Sequence, residues 1–399
     1  MTTTGLPPHE VAELGLAPDG ADRVAWARDQ MPVLRAVRER FARDRPLSGV
    51  RVGACLHVTP ETANLMLTLL AGGAQAALCS ANPLSAQDDV AATLVADHHV
   101  EVHARRGEDL AAYAAHVRAV LDTRPQITID DGADLLMTAH ELGSAAIEPL
   151  IGGVEETTTG LVRLRRLHER GALRRPVIAA NEARTERALN DRHGTGQSAL
   201  DGIVRASNVL LAGHTVVVCE IDPLRALEAR MSGYEVMPAL AAAPRGDIFI
   251  TVTGSRRVLR GEHFQRMKDG ALLANAGHFD VELDLEELRS LATGDVRRVR
   301  PLVDQYELAD GRRLNLLAGG RVVNLAAAEG HPAAVMDVSF ALQALCVEDL
   351  VRRGTQLAPG VHPVPHAIDT EVGRLKLDAL GVQIDQPTAE QSTYRESWA

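Results

Sequence analysis

The 399-residue sequence has few aromatic residues, few cysteines and no cluster of positive charge. Aromatic residues make up 3% of the chain and hydrophobic residues 46%, so alanine, valine and leucine must build the core. Such a core suits closely packed α/β layers. The four cysteines, Cys55, Cys79, Cys219 and Cys346, form no Cys-x-x-Cys pair. This argues against a zinc site and a disulfide framework, and for reduced thiols in a cytoplasm.

Three further absences limit which partners the protein can bind and in which compartment we expect it. The net charge is −11, which argues against nucleic acid and anionic membranes as partners. No apolar stretch is long enough to span a bilayer. The first residues, MTTTGLPPHE, lack the charged and apolar regions of a signal peptide. We therefore expect a cytoplasmic protein without a membrane segment.

Strand-like and helix-like stretches alternate along the first part of the chain. RVGACLHV, AQAALCSA, VEVHAR and QITIDD are short apolar runs, and apolar residues at helical spacing lie between them. This order predicts an α/β fold whose parallel sheet is covered on both faces. The polar stretch ANEARTERALNDRHGTGQS predicts a hinge or crossover to a second α/β set. In that set Val216, Val217 and Val218 predict a buried strand. Helix is predicted again after Ala326, followed by a polar, extended tail.

Polar residues follow several of the predicted strands. LHVTPET places His57, Thr59, Glu61 and Thr62 at a strand end and a helix start, where ligands bind in open α/β sheets. The same residues also suit a plain helix cap at Thr59. IDDGAD places Asp131 beside a second carboxylate, which suits acid–base chemistry or a simple Asp-Gly turn.

Three more stretches carry candidate site residues. VEETTTG supplies Glu156 and the threonines 157–159, as a ligand surface or a capped helix start. His278 ends an apolar strand and His331 precedes a helix, and polar groups at such boundaries line clefts. GTGQSA (194–199) matches a dinucleotide fingerprint formally. It follows polar residues rather than a buried strand, so we do not interpret it as a nucleotide loop.

Taken in order, LHVTPETANL, ANPLSAQDDVAA, IDDGADL, EETTTG, EIDPLRALEA, GHFDVE and GHPAAVM resemble the S-adenosyl-L-homocysteine hydrolase family. The resemblance extends from about Val52 to Trp398, and the ending TAEQSTYRESW is similar to the archaeal-type branch. It implies a substrate-binding α/β domain (1–182), a reduced Rossmann-like domain (183–325) and a return to the substrate domain (326–399). It also implies a homo-oligomer, either a dimer or a tetramer.

The family's chemistry is a redox cycle with tightly held NAD. The ribose 3′-hydroxyl is oxidised, homocysteine is eliminated, water adds at C5′, and the ketone is reduced again. The ketone is needed because the 4′ C–H is otherwise far too weak an acid for a side-chain base. By resemblance, the catalytic residues are Asp131, Glu156, His278, His331 and the residue at position 186. The substrate-binding residues are His57, Thr59, Glu61, Thr62, Asn190, His331 and Met336. The cofactor-binding residues are Thr157, Thr158, Thr159, Glu220 and Asn324, and no metal ligand is implied.

Two departures from the family pattern concern the redox step. Glu186 stands where the family has a catalytic lysine, and Asn190 and Asp191 reverse an expected Asp-Asn pair. A glutamate there should oppose the loss of hydride. In HTVVVCEIDP, about two dozen residues are missing before Glu220, which is the size of one turn-helix-strand unit. Such a unit supplies the backbone N–H groups that hold a pyrophosphate.

These departures favour a homologue that keeps the nucleoside pocket and has given up the NAD cycle. We expect it to bind S-adenosylmethionine or S-adenosylhomocysteine and to act as a methyltransferase with a small-molecule acceptor, with NAD binding doubtful. One alternative is a working NAD-dependent hydrolase of S-adenosylhomocysteine. Another is a non-catalytic nucleoside-binding or regulatory homologue.

Overall fold

A computed structural model describes residues 5–397, so Trp398 lies outside the described part of the chain. The strands of this part are β1 (His9–Glu10), β2 (Arg51–Leu56), β3 (Gln75–Ser80), β4 (Glu101–His103), β5 (Ile127–Asp130), β6 (Gly152–Glu155), β7 (Pro176–Ala179), β8 (Val217–Val218), β9 (Glu235–Val236), β10 (Ile248–Thr251), β11 (Leu272–Asn275), β12 (Arg297–Arg300), β13 (Val303–Glu307), β14 (Arg313–Leu317) and β15 (Gly360–Pro363).

Helices fill most of the connections between these strands. They are α1 (Ala17–Asp29), α2 (Pro32–Asp44), α3 (Pro60–Ala71), α4 (Asp88–Ala96), α5 (Leu110–Asp122), α6 (Asp134–Leu142), α7 (Ser144–Ile147), α8 (Thr158–Glu169), α9 (Arg184–Glu186), α10 (Thr195–Ser207), α11 (Pro223–Met231), α12 (Ala239–Ala242), α13 (Gly261–Phe264), α14 (Leu285–Leu291), α15 (Val323–Ala326), α16 (Ala333–Arg353), α17 (His366–Ala379) and α18 (Ala389–Glu396).

The larger sheet has eight parallel strands in the order β1-β4-β3-β2-β5-β6-β7-β15. Successive residues of its central strand β2 point to opposite faces. Ala54 and Leu56 join one buried apolar cluster, and Cys55 joins another. Both faces are therefore covered, which confirms the predicted α/β fold with a parallel sheet.

The smaller sheet has the strand order β10-β11-β14-β13-β12. Its first three strands are parallel, and β13 and β12 return antiparallel. Ile203 of α10 and Val323 of α15 pack in one cluster with Leu317 of β14, while Phe264 of α13 packs in another with Leu314. The smaller sheet is thus also covered on both faces.

The polar stretch predicted as a hinge or crossover is largely helical. After a 3-10 turn at Ala180–Glu182, the chain continues through α9, a π-helix at Arg187–Gly194, and α10. It leads from β7 of the larger sheet to the smaller one. Wide π-type turns often occur where side chains must reach a functional site.

The prediction of a buried strand at 216–218 is wrong. Only Val217 and Val218 form the strand β8, which pairs with β9 in a separate two-stranded sheet, and Val216 is 63% exposed. The following helix α11 leaves Leu224 (76%) and Met231 (79%) exposed as well. The sequence has the composition of a buried strand, but within residues 5–397 this sheet has only two strands, and Val217 and Val218 are only half-buried.

The prediction of an extended C-terminal tail is also wrong. β15 joins the larger sheet beside β7, and α17 packs on the core. Ile368, Val372 and Leu375 recur at helical spacing and face that core, with Val372 fully buried. Among residues 5–397, no helix has the length and apolar character required to cross a bilayer.

The anchoring of α17 includes an ion pair whose carboxylate is fully buried. Lys376 Nζ lies 2.9 Å from Asp337 Oδ2, and the other oxygen of Asp337 accepts a hydrogen bond of 2.8 Å from the backbone N–H of Leu34. The Asp337 side chain has no exposed surface.

We expect Lys376→Ala to destabilise the protein by about 2–4 kcal/mol, because it leaves a buried carboxylate without its counter-charge. Arg374→Ala on the same helix is the matched control, since Arg374 forms only an exposed pair with Asp378. That change should cost less than about 1 kcal/mol. Thermal unfolding of both variants at pH 7 measures the difference, and equal shifts would contradict the buried-pair explanation.

Candidate active site

The predicted site residues of the larger sheet follow three neighbouring strands. His57 follows β2, Asp131 follows β5 and Glu156 follows β6. The carboxyl ends of parallel strands meet at one edge of a sheet, so these side chains converge there. His278 follows β11 of the smaller sheet and enters the same space. The site therefore lies in a cleft between the two sheets.

His57, Asp131 and His278 form the first group in the cleft. His57 Nε2 lies 3.3 Å from Asp131 Oδ2, and His278 Nδ1 lies 3.4 Å from Asp131 Oδ1. His57 Nδ1 is 2.7 Å from Ser85 Oγ, which fixes the ring. Burial lowers the pKa of His57 to about 4 and also lowers the pKa of His278, while burial raises the pKa of Asp131. Both imidazoles are therefore neutral at pH 7 and available as bases.

His278 approaches the larger sheet at Gly132. A Cβ at this position would lie 2.8 Å from His278 Nε2, and the residue has a φ of +109°. The Gly132 N–H donates to Glu155 Oε1 (2.9 Å), and its carbonyl accepts from Arg163 Nη1 (2.5 Å). Glycine is therefore required both for the backbone conformation and for the contact.

A second group contains two buried carboxyl side chains, Glu156 and Glu186. Both oxygens of Glu186 lie 2.5 Å from Ser339 Oγ, and the same hydroxyl is 3.1 Å from Glu156 Oε1. Gln343 Nε2 donates to Glu156 Oε2 at 2.5 Å, and Asn190 Nδ2 donates to Ser339 Oγ at 3.0 Å. The stretch around Glu186 thus faces the end of β6.

Burial raises the pKa of Glu186 to about 7, against smaller opposing effects of its hydrogen bonds. Burial also raises the pKa of Glu156 well above its usual value, and the neighbouring charge of Glu186 adds to the shift. Two adjacent carboxyl groups in a dry site cannot both ionise easily. The pair therefore holds a proton near neutral pH.

The other predicted substrate residues lie around these two groups. Thr59 caps α3 by accepting from Thr62 N, and Thr62 Oγ1 donates to the carbonyl of His57 at 2.6 Å. His331 Nε2 lies 3.4 Å from Thr195 Oγ1, and Met336 Sδ lies 3.9 Å from Asn190 Nδ2. Burial lowers the pKa of His331 to about 4 and raises that of Glu61.

The residues predicted to hold a cofactor differ in their surroundings. Thr157 caps α8, and Thr158 Oγ1 donates to Asn181 Oδ1. Asn324 is buried, and its Nδ2 donates to Ser198 Oγ at 3.0 Å. Thr159 faces Gly254 of the smaller half. Glu220 lies apart on the exposed segment, where its carboxylate accepts from the backbone N–H groups of residues 221 and 222.

Sequence reasoning missed Ser85, Gly132, Ser339 and Gln343. Ser339 and Gln343 are four residues apart on α16, and Met336 lies three residues earlier on the same face. A short polar row on an otherwise apolar, buried helix is a signal that could have found them. Ser85 and Gly132 are brought to the site by the tertiary fold, and no comparable sequence pattern marks them.

Comparisons with known proteins give consistent matches over the chain. The family described as "S-adenosyl-L-homocysteine hydrolase" matches residues 8–150, and "S-adenosyl-L-homocysteine hydrolase, NAD binding domain" matches residues 213–330. The protein named "Adenosylhomocysteinase" from Thermosynechococcus vestitus is 52% identical, covering 98% of this chain and 96% of that protein. That from Aquifex aeolicus is 51% identical, covering 98% of each. The "S-inosyl-L-homocysteine hydrolase" of Methanopyrus kandleri is 48% identical, covering 98% of this chain and 97% of that protein.

These matches correct two expectations. The prediction of an S-adenosylmethionine-dependent methyltransferase is wrong, because relatives about half identical over nearly the full chain are named as hydrolases. The prediction that NAD binding is doubtful is also wrong, because the matched domain family is one that binds NAD. Both predictions rest on two short stretches, whereas the matches extend over nearly the whole chain.

The Glu156–Glu186 carboxyl pair predicts how the stability of the protein depends on pH. Because Glu186 has a pKa of about 7 in the folded protein and an ordinary value of 4.5, the folded state binds more protons than the unfolded chain between these pH values. Glu186 is therefore increasingly destabilising as pH rises through this window. We expect Glu186→Gln to raise the melting temperature relative to wild type, with a gain that grows from about pH 5 to about pH 8.

Glu182→Gln is the matched control, because the Arg165 guanidinium lowers the pKa of that carboxyl. Its substitution should lower the melting temperature at neutral pH, and the loss should fade as pH falls. Melting temperatures of wild type and both variants over this range measure the two trends. A pH-independent gain for Glu186→Gln would contradict a shared proton.

Proposed function

Because the chain belongs to the S-adenosyl-L-homocysteine hydrolase family, we propose that it hydrolyses S-adenosyl-L-homocysteine to adenosine and homocysteine with NAD as cofactor. The observation that carries this proposal is the meeting of His57, Asp131 and His278 with the Glu156–Glu186 pair in one buried cleft. It provides neutral bases and a protonated carboxyl group side by side. The division into domains 1–182, 183–325 and 326–399, homo-oligomeric assembly and a cytoplasmic location remain predictions.

His278 is the proposed base for the attacking water. Its Nδ1 faces Asp131 Oδ1, which favours the tautomer with the proton on Nδ1. Nε2 then carries the free electron pair, and among the described residues it has no hydrogen-bond partner. A neutral imidazole oriented by a carboxylate can take a proton from water at Nε2. His57, held by Ser85, places a second imidazole on the other side of the same carboxylate.

The Glu156–Glu186 pair is the proposed partner of the ribose hydroxyls. We propose that Glu186 takes over the proton-accepting role of the family's lysine, because a group with a pKa of about 7 is well matched to proton transfer at neutral pH. Ser339 holds both carboxyl groups, so a proton accepted by one can pass to the other. This replaces the expectation that a glutamate here would simply oppose hydride loss.

The nicotinamide end of the cofactor site fits the residues present. NAD, when bound, supplies the hydride acceptor and donor of this class of reaction. Asn324 Oδ1 is buried and has no hydrogen-bond partner among the described residues, so it can accept from the nicotinamide carboxamide. Thr159 facing Gly254 offers a hydroxyl beside a position without a side chain.

The end of the cofactor site that would hold the adenosine half of NAD has fewer candidate side chains. The alignment with the Thermosynechococcus protein extends over 413 positions. It includes 98% of the 399 residues of this chain, which is about 391 residues. About 22 positions of the alignment therefore have no residue from this chain. This supports the proposal that a glycine-rich turn and its helix are missing before Glu220. We therefore propose that Asn324 and its neighbours hold NAD mainly by its nicotinamide end, and that NAD exchanges readily.

The purine base of the substrate, adenine or hypoxanthine, is a second feature for an assay to identify. Relatives named for S-inosyl-L-homocysteine are 48% and 47% identical to this chain. Glu61 can accept a hydrogen bond from the amino group of adenine or, equally, from the N1–H of hypoxanthine. S-Inosyl-L-homocysteine is therefore a second candidate substrate.

We expect the purified protein to release homocysteine from one of these thioethers when NAD is added. Asp131→Asn should lower kcat by at least about 100-fold, because it removes the charge that orients both imidazoles. Asp378→Asn on the exposed face of α17 is the control and should leave kcat unchanged. Thiol release with both substrates measures this, and no release with either substrate at saturating NAD would refute the proposed activity.

The proposed cofactor arrangement is tested by NAD binding alone. Asn324→Ala should weaken NAD binding about 3- to 10-fold, the usual effect of losing one buried hydrogen bond. Glu220→Gln should weaken it less than about twofold, because Glu220 is exposed. Isothermal titration with NAD compares the two variants, and a larger effect of Glu220→Gln would mean that the ribose end is held as well.

A further inference from the structure

We propose that Arg23 of α1 is a positioning residue for the purine end of the substrate. Its guanidinium holds the loop 327–332, which carries His331, and its charge acts on the carboxyl group of Glu61. The inference rests on the proposed function, because it takes Glu61 and His331 to be the groups that meet the purine. Arg23 itself touches neither the substrate nor the cofactor in this arrangement.

Arg23 joins two segments that are far apart in the sequence. Its Nη1 lies 2.8 Å from Asp89 Oδ2 of α4, and its Nη2 lies 2.6 Å from Glu329 Oε2 of the loop. Arg205 Nη1 of α10 lies 4.0 Å from Glu329 Oε1. The guanidinium of Arg23 thus uses its two terminal nitrogens on different carboxylates, which suits its planar fork of donors better than a lysine ammonium.

The base from which Arg23 reaches the loop is rigid. A Cβ at Gly20 would lie 2.1 Å from the carbonyl oxygen of Asp89, so α1 and α4 approach as closely as only a glycine allows. Thr93 Oγ1 of α4 also donates to the carbonyl of Ala17 at 2.7 Å. Arg23 follows Gly20 by three residues and therefore lies on the same face of α1.

The loop 327–332 depends on polar contacts for its position. None of its residues is buried, and a cavity of about 520 Å³ lies beside it, between α1, α4 and α10. Just before the loop, Arg106 Nη2 donates to the carbonyl of Ala326 at 3.2 Å. The contacts of Arg23 and Arg106 therefore do much to fix where His331 stands.

Arg23 also acts on Glu61, which lies in the first turn of the neighbouring helix α3. The two helices are joined where Asn64 Nδ2 donates to the carbonyl of Val24 at 3.0 Å. Burial raises the pKa of Glu61, the charge of Arg23 opposes that shift, and the charge of Glu329 adds to it. Hydrogen bonds to an ionised carboxylate are the stronger ones, so Arg23 favours the form of Glu61 that best accepts a purine N–H.

The other titratable side chains of the site leave this effect readable. Burial holds the pKa of His57 and of His331 at about 4, so both imidazoles are largely neutral from about pH 5 to about pH 8. Glu186 has a pKa of about 7 and titrates in this range, but it is the same in wild type and in variants at positions 23 and 329. A difference from wild type therefore reports the change at Glu61.

The test is calorimetric titration of the full chain with adenosine and with inosine from about pH 5 to about pH 8. Arg23→Gln should weaken binding about 3- to 10-fold near pH 6, and the loss should shrink toward pH 8, where Glu61 ionises without help. Glu329→Gln also breaks the contact with the loop, but it removes a negative charge near Glu61. Its loss should therefore grow as pH rises. A purely structural role would weaken binding equally at every pH, and that result would overturn the proposal.

Two more variants separate charge from shape. Arg23→Lys keeps the charge and loses the fork, so it should recover the wild-type pH dependence and only part of the affinity. Arg28→Gln on the same helix is the matched control, because the Arg28 guanidinium is half-exposed and lies 3.7 Å from the exposed carboxylate of Asp29. It should leave binding unchanged. An equal loss in Arg28→Gln would contradict a specific role of Arg23.

Stability and turnover complete the experiment. The melting temperature of Glu329→Gln should stay close to that of wild type, because an exposed ion pair contributes little to stability. This variant therefore gives the test even if Arg23→Gln folds poorly. In hydrolysis, Arg23→Gln should raise KM and leave kcat within about twofold, since it removes binding and not chemistry. A fall in kcat at unchanged KM would contradict a positioning role.

The binding titration and the activity assay fail separately. Nucleoside binding requires neither NAD nor turnover, so a protein that binds adenosine or inosine without hydrolysing a thioether refutes only the proposed activity. Nucleoside binding that Arg23→Gln leaves unchanged at every pH refutes only the role of Arg23.

Discussion

The ring of His278 reaches its partners only because the backbone at Gly132 lets it approach. That backbone is held in turn by Glu155, whose buried carboxylate accepts from Gly132 N–H and from the N–H and hydroxyl of Thr157. Glu155 itself needs the absence of a side chain at Gly160, where a Cβ would lie 2.2 Å from the carboxyl group. Gly132, Gly160 and the buried carboxylate of Glu155 therefore together set the distance between the two sheets at the cleft.

Burial governs the chemistry of both side-chain groups in the cleft. It keeps the imidazoles of His57 and His278 neutral and makes the ionisation of Glu156 and Glu186 costly. The same physical cause thus produces two bases and one retained proton within a single site. Opposite shifts of neighbouring groups are typical of sites that move protons. Glu186 fits this pattern, since burial raises its pKa to about 7 and so lowers its charge near neutral pH.

Much of the fold and part of the site followed from local patterns. The alternation of apolar runs predicted the parallel sheet, and polar residues at strand ends predicted His57, Asp131 and Glu156, because parallel strands end at one edge. Ser85 and Gly132 could not be predicted, since their contacts depend on segments distant in sequence. The prediction for Val216 fails for a related reason: burial depends on neighbouring elements, and a strand-like composition does not supply them. Val372 shows the converse, a helical spacing inside a tail that appeared polar.

The exposed segment from α10 to β9 has few contacts with the rest of the molecule, and its apolar side chains face solvent. Segments of this kind open locally long before the protein unfolds as a whole. They are also the places where a chain accepts insertions and deletions with little damage. Residues 208–216 are therefore a place where the chain can change in length during evolution without disturbing the contacts that build the cleft.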